Sequence, residues 1–290
     1  MPQLNLRDLR RKIRSIENLK KITRAMQMVS ASKLKKTQGR LLQIRPYADK
    51  ISEMLANVSA RLGKVDHPLL TPRPEVKLAL VMVITSDKGL CGTYNTNMVN
   101  HAEKFMRELG KECRIVAVGR KGADYFTKRG VKVLERFTNI PADVPFAVTQ
   151  KIADLLLKEF LEGRSDEVYI SFTKFVNALT FRPNTIKFVP VEPAKKKDEK
   201  KVESEYIYEP KPDQILNRLL PRYLQTSLQR LVLESLSSEH AARMNAMRNA
   251  TDNAKELIES LTLTRNKLRQ ANITKELLDI VTGAEALKGK

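Results

Sequence analysis

"MNAMRNATDNAKELIESLTLTRNKLRQAN", Met244 to Asn272, decides how this chain is built. Met244, Met247, Thr251, Ala254, Ile258, Leu261, Arg265, Leu268 and Asn272 follow one another by alternating threes and fours, the seven-residue repeat that lays a single seam along a helix. Proline suits the first turn of a helix, and no proline or glycine intervenes between Pro221 and Gly283, so the spacing predicts one long helix starting at Pro221. About 60 residues at about 1.5 Å each give roughly 90 Å of helix, far more than a compact domain needs. Such a helix cannot hide its seam alone.

A segment with the same need stands at the other end of the chain. From Asn5, which reads as an N-cap, the apolar residues Leu6, Leu9, Ile13, Ile16, Leu19, Ile22, Met26 and Val29 recur at helical spacing. The pattern continues past Leu34 to Leu41, has its natural bend at Pro46 and fades by Gly63. Pairing the two segments satisfies both seams, and because the chain leaves one and returns to the other, the pair is antiparallel. Thr251, Arg265 and Asn272 are poor seam residues, and Ile13, Ile16, Leu19 and Ile22 take three successive steps of three, which overwinds a coil locally. The expectation is a bent, asymmetric rod.

Between the ends the period changes. "VKLALVMVITS", Val76 to Ser86, is a nearly unbroken apolar run of the kind that forms a strand buried on both faces. Helices are predicted at about 97–109, 121–128 and 145–161, and strands at 113–118, 131–136, 167–173 and 185–191. Strand and helix alternate, so the fold class is α/β, a Rossmann-like, mostly parallel sheet joined to a long antiparallel coiled coil of the two terminal helices. The domains expected are 1–62, an N-terminal coiled-coil helix; 63–212, an α/β domain; and 213–290, a C-terminal coiled-coil helix. "AKKKDEKKVESE", Ala194 to Glu205, is charged and poor in apolar residues, and reads as a mobile loop.

Charge is concentrated in the rod. Lys plus Arg outnumber Asp plus Glu by 53 to 33, a net +20. "KKITRAMQMVSASKLKKTQ", Lys20 to Gln38, holds six Lys and Arg and no acid. The partners this favours are an acidic protein, a nucleic acid or an anionic surface. Cys91 and Cys113 are too far apart for a Cys-x-x-Cys pair, and His67, His101 and His240 are scattered, which argues against structural zinc or a disulfide framework. No stretch reads as a signal peptide or a membrane span, so a soluble, cytoplasmic chain is expected.

"SDKGLCGTYN", Ser86 to Asn95, follows the first predicted strand and opens a helix, a place where α/β proteins hold phosphates. It matches neither G-x-G-x-x-G nor G-x-x-x-x-G-K-[ST], and its lysine precedes the glycines. A structural tight turn is the better reading. Asp87 and Lys88 have no neighbouring histidine or second carboxylate in sequence, so no intrinsic active site and no bound cofactor are expected.

"KITRAMQMVSASKL", "SDKGLCGTYN", "AARMNAMRNATDNA" and "RQANITKELLDIVTGAEAL" closely resemble the gamma subunits of F-type ATP synthases, in the family's order and over nearly the whole chain. The resemblance implies a central rotor shaft inside a ring of alternating alpha and beta subunits, with the α/β domain at its foot against the epsilon subunit and the membrane c-ring. It also implies that ATP, ADP and Mg are held by the alpha and beta subunits. Met26 matches the position beside the acidic lever of a beta subunit, with Lys21 and Arg24 as helical neighbours. Arg243 matches a residue that hydrogen-bonds a beta subunit. Arg269, Gln270, Thr274 and Glu276 match the family's upper catch, where shaft and beta-subunit loops meet, and Tyr206 and Tyr208 match the foot segment near the c-ring or epsilon. The cysteine-containing insertion of chloroplast relatives is missing, so a bacterial enzyme at the cytoplasmic face of the plasma membrane is expected. From another class, a basic coiled coil on a globular domain would also suit nucleic acid, but no aromatic interleaving or base-reading motif accompanies the charge.

Overall fold

The apolar run at Val76–Ser86 becomes β1 (Leu78–Ile84), the central strand of the sheet in a computed structural model that describes residues 5–62, 67–191 and 212–288. The remaining elements are α1 (Leu6–Leu62), α2 (Tyr94–Leu109), β2 (Glu112–Val118), α3 (Arg120–Lys128), β3 (Val133–Phe137), α4 (Phe146–Leu161), β4 (Glu167–Phe175), β5 (Phe181–Val189) and α5 (Pro212–Lys288). The strands lie in the order β3-β2-β1-β4-β5. β1, β2, β3 and β4 pair in parallel, and β5 closes the edge antiparallel to β4. The α/β expectation therefore holds, with the parallel part of the sheet covered on both faces.

The period of two in β1 sorts its side chains between two cores. Leu80, Met82 and Ile84 face Ile152, Leu156 and Phe160 of α4 and Leu220, Leu224 and Leu228 of α5. Ala79, Val81 and Val83 face Met98, Val99 and Ala102 of α2 and Phe126 of α3. Because both faces are buried, the strand is apolar throughout, which is why its sequence shows no alternation.

Two compact units result. One comprises Met1–Val29 with Met244–Lys290, the other Ser30–Arg243. Each long helix therefore contributes to both units. Pro221 lies inside α5 rather than at its start. Leu216 and Leu220, only 1% and 0% exposed, are already committed to the core before it, and their burial offsets the backbone hydrogen bond that an internal proline forfeits. Pro46 is likewise internal to α1, and α5 runs on past Gly283. The charged stretch 194–205, together with Tyr206 and Tyr208, lies outside the described residues.

In the first unit the C-terminal seam is buried or half-buried from Met244 to Leu268 as its spacing predicts, but Asn272, the last position of the repeat, is exposed. Met247 and Ala254 are buried, and Met244, Thr251, Ile258, Leu261, Arg265 and Leu268 are half-buried, between exposed neighbours such as Arg248, Asp252, Lys255 and Glu259. The seam of α1 departs from expectation. Leu9 and Ile13 are buried, but Leu19, Ile22 and Val29 are 52%, 57% and 56% exposed, and Thr23 takes their place at 6%. Leu9, Ile16 and Thr23 are seven residues apart, so the true heptad continues through a polar residue while the apolar steps of three rotate outward. Thr251 Oγ1 stands 2.8 Å from Thr23 Oγ1, whose own hydroxyl donates to the Lys20 carbonyl at 3.1 Å. Thr23 lies as far from Leu6 as Thr251 does from Leu268, and half-burial along α5 ceases just there, as antiparallel pairing requires.

Candidate functional site

The residues singled out in the sequence fall on separate surfaces. Lys21 and Arg24 are exposed on α1, and Met26 is half-buried. They share the helix surface with exposed Leu19, Ile22, Met28 and Val29. A cavity of about 260 Å³ beside them is lined by Arg24, Gln27, Met28, Arg248, Thr251 and Asp252. The result is a surface that is both cationic and greasy. Periodicity missed this apolar part because it assigned Leu19, Ile22 and Val29 to the seam.

Arg269, Gln270, Thr274 and Glu276 stand on the stretch of α5 that extends past its half-buried seam, and all four are exposed. The Thr274 hydroxyl donates to the Gln270 carbonyl at 3.0 Å. Ile273, Leu277, Leu278, Ile280 and Val281 are exposed around the same stretch, at 48–68%. At about 100° per residue these five side chains spread over roughly 160° of the helix, a broad exposed apolar face rather than a narrow stripe.

The third surface belongs to the sheet unit and centres on the turn after β1. Ser86 N donates to Asn95 Oδ1 at 3.0 Å, and the Ser86 hydroxyl donates to the Lys88 carbonyl at 2.7 Å. Asp87 accepts the backbone N–H of Arg120 at 3.0 Å and that of Asn139 at 2.7 Å, so both carboxylate oxygens are engaged. Thr85 Oγ1 accepts the N–H of Gly122 at 2.8 Å. Gly119, at φ +91, passes so close that a Cβ there would lie 2.2 Å from the Thr85 carbonyl oxygen. The first N–H groups of α3, which an anion could otherwise claim, are thus spent on Thr85, Ser86 and Asp87.

The crevice at the C-terminal end of β4, beside β1, is filled by the chain itself. Tyr94 donates to the Ser235 carbonyl at 3.1 Å, the Thr173 N–H donates to Ser235 Oγ at 2.9 Å, and Ser238 Oγ lies 3.2 Å from the Thr173 carbonyl. In open α/β sheets this switch of strand order is where ligands bind. Here α5 occupies it. Burial, and then the charge of Glu239, push the Tyr94 hydroxyl far above its ordinary range, so it stays a neutral donor.

Arg243 closes the turn from α5. Its guanidinium donates to the Lys88 carbonyl at 2.9 Å, to the Gly89 carbonyl at 3.3 Å and to Glu239 Oε1 at 2.6 Å. The side chain is only 11% exposed, in contrast to the open positions of Lys21 and Arg24. Burial raises the Glu239 carboxyl above its usual value, and the guanidinium against it opposes that rise. His240 is pushed down to about 4 by burial and then by the charges of Arg243 and Lys33. A cavity of about 260 Å³ bordered by Lys33, Asp87, Glu239, His240 and Arg243 adjoins the turn. Among the described residues no group of His, Cys, Asp and Glu could hold a metal ion, and no helix is long and apolar enough to cross a membrane.

Comparison with known proteins bears on the chain as a whole. A family profile described as ATP synthase matches residues 5–287. The ATP synthase gamma chain of Pelotomaculum thermopropionicum is 41% identical over 284 residues, covering 98% of this chain and 99% of that one. That of Moorella thermoacetica is 43% identical over 284 residues, with the same coverage. Among solved structures, the central stalk and c-ring of the Tetrahymena thermophila mitochondrial ATP synthase gives a TM-score of 0.59 at 26% identity, covering 79% of this chain and 99% of that one. The OSCP, F1 and c-ring assembly of the Euglena gracilis enzyme gives 0.66 over 97% and 94%, and at 20% identity it speaks for the fold.

Proposed function

This chain belongs to the ATP synthase gamma-chain family, and we propose that its paired helices turn inside a ring of alpha and beta subunits and press on the beta subunits in succession. It is the central shaft of an F-type ATP synthase, coupling ion flow through the membrane sector to ATP synthesis or hydrolysis. The epsilon subunit and the c-ring are the partners of the sheet unit. The chain itself performs no catalysis, and ATP, ADP and Mg belong to the alpha and beta subunits. Its place is the cytoplasmic face of a bacterial plasma membrane, reached through the c-ring and not by insertion.

One observation carries this reading: the first unit buries Thr23 in its seam and leaves Leu19, Ile22, Met28 and Val29 facing out among Lys21 and Arg24. A free-standing coiled coil gains by the reverse arrangement. A surrounding partner makes sense of it, since the apolar residues gain burial there while the cations attract an acidic lever, and a partly dry gap strengthens that attraction over its value in water. Met26, Lys21 and Arg24 would then meet the lever. Arg269, Gln270, Thr274 and Glu276 would meet the beta-subunit loops at the unpaired end of α5. Arg243 would use the N–H groups left over from Lys88, Gly89 and Glu239. An asymmetric rod against identical levers leaves them in different states, so rotation and nucleotide affinity are linked in both directions.

The experiment is reconstitution. Purified chain mixed with alpha and beta subunits should give one stoichiometric complex with nucleotide-dependent rotation. Failure to assemble, together with DNA binding that falls steeply with salt, would sink the shaft reading in favour of a nucleic-acid binder. The relatives found lend that alternative no support.

A further inference from the structure

Leu90 sits at the tip of the turn after β1 with its side chain 62% exposed and its backbone in the left-handed region, φ +61. A leucine rarely adopts that conformation, and it persists only where the surroundings over-determine it. Here they do. Ser86, Asp87 and Asn95 fix the start of the turn, and Arg243 grips the two carbonyls immediately before Leu90. An apolar side chain held outward on a strained turn whose flanks are hydrogen-bonded is built to bear on something.

The grip depends on a residue that neither the sequence reading nor the family resemblance singles out. Glu239 lies one helical turn before Arg243 and is 7% exposed, and its carboxylate contacts the guanidinium at 2.6 Å. An arginine on a helix surface has many rotamers. A buried carboxylate four residues away selects the one that lays its fork across Lys88 and Gly89. Burying an ion pair is a poor way to gain stability, so its presence is better explained by geometry than by energy.

We propose that Glu239 is a positioning residue of the shaft, holding the Arg243 guanidinium against the Lys88 and Gly89 carbonyls so that the Leu90 tip travels as a fixed part of α5. This rests on the shaft reading above. A loose tip would yield when pressed, and rotation would slip past the surrounding subunits without moving them.

Glu239→Gln is the test, since it keeps the shape and one acceptor oxygen and removes the charge. Amide exchange at Gly89–Gly92 in the free chain should quicken about tenfold. In complexes reconstituted into vesicles, at a temperature where the variant stays folded and assembled, the ratio of ion pumping to ATP hydrolysis should fall about threefold. Arg243→Lys, which keeps the charge and loses the fork, should reproduce both effects. The two substitutions together should do no more than either alone, the signature of residues acting as one device. Unchanged exchange in Glu239→Gln, an unchanged pumping ratio, or losses that add in the double variant would overturn the proposal. If wild-type chain does not assemble with alpha and beta subunits, the shaft reading falls by itself, and the exchange measurement on the free chain still judges the grip.

Discussion

At the centre of the unit Ser30–Arg243 stand Leu80, Met82, Ile84, Leu156 and Ile170, each with no exposed surface. In the unit of paired helices the buried position is held by Thr23, while Leu19 and Ile22 stand more than half exposed. The same physics gives opposite patterns because the two units are completed by different things. The sheet unit covers both faces of its sheet with its own helices, though Leu42, Leu90 and Leu179 stand 66%, 62% and 79% exposed at its surface. The paired helices leave part of theirs exposed, which under the shaft reading is surface for a partner, and accept a weaker seam of their own. One unit should therefore be sensitive to truncation in isolation, and the other only in the complex.

Leu156→Ala makes the sharpest test of the first half. The side chain is 0% exposed and packs between α4 and the sheet, so its removal should cost about 4 kcal/mol of unfolding free energy in urea. A loss under about 1 kcal/mol would mean that the sheet unit is packed no more tightly than the rod.

Acid should expose the same asymmetry. The folded His240 titrates at about 4, below its ordinary 6.5, because of burial and then the charges of Arg243 and Lys33. As pH falls, the unfolded chain takes up the proton first. The stability His240 confers is therefore complete above about 6.5 and is lost between there and about 4, a decline of roughly 3 kcal/mol at about 1.4 kcal/mol per pKa unit. Denaturant titrations at pH 7 and pH 4 should show that decline in wild-type chain, and His240→Gln should show about 3 kcal/mol less of it. Equal declines in both would place the acid sensitivity elsewhere.

These particulars also show what a reading of the sequence can reach. β1 was legible because a strand buried on both faces is apolar at every position, and the α5 seam because its period survives even where the seam residue is Thr251 or Arg265. The α1 seam differs from its expectation at Leu19, Ile22 and Val29, since periodicity tracks apolar residues while the helix buries whatever its seven-residue repeat presents. The three successive steps of three were the available sign. Local propensity favours a helix start at Pro221 because it cannot see Leu216 and Leu220 being held by the core. The grip of Arg243 on Lys88 and Gly89 was beyond reach, for it joins positions that only the fold brings together.

Replacing both Leu19 and Ile22 by Ala addresses the second half of the comparison. In the free chain the change in stability should stay within about 0.5 kcal/mol, because these side chains are already in water and Ala favours helix. Association with alpha and beta subunits should weaken by about tenfold, equal to about 1.4 kcal/mol, as the apolar area that a partner would cover is lost. Titration of labelled chain into the alpha and beta ring measures this directly. Unchanged affinity would mean that the outward leucine and isoleucine are incidental.

The smallest effect concerns the polar seam itself. Thr23→Val alone leaves the Thr251 hydroxyl a partner, since the Met247 carbonyl lies 2.8 Å away, so no orphaned donor results and stability should move by less than about 0.5 kcal/mol. Replacing Thr23 and Thr251 together by Val removes both hydroxyls and puts methyl groups of the same shape into the seam, which should stabilise the paired helices by about 1 kcal/mol. Slower amide exchange over Lys20–Val29 in the double variant would register that gain. If the double variant is instead destabilised, the hydrogen bond between the two threonines holds the helices together. The outward apolar face would then be a by-product of that bond, not a surface the rod keeps open for its partner.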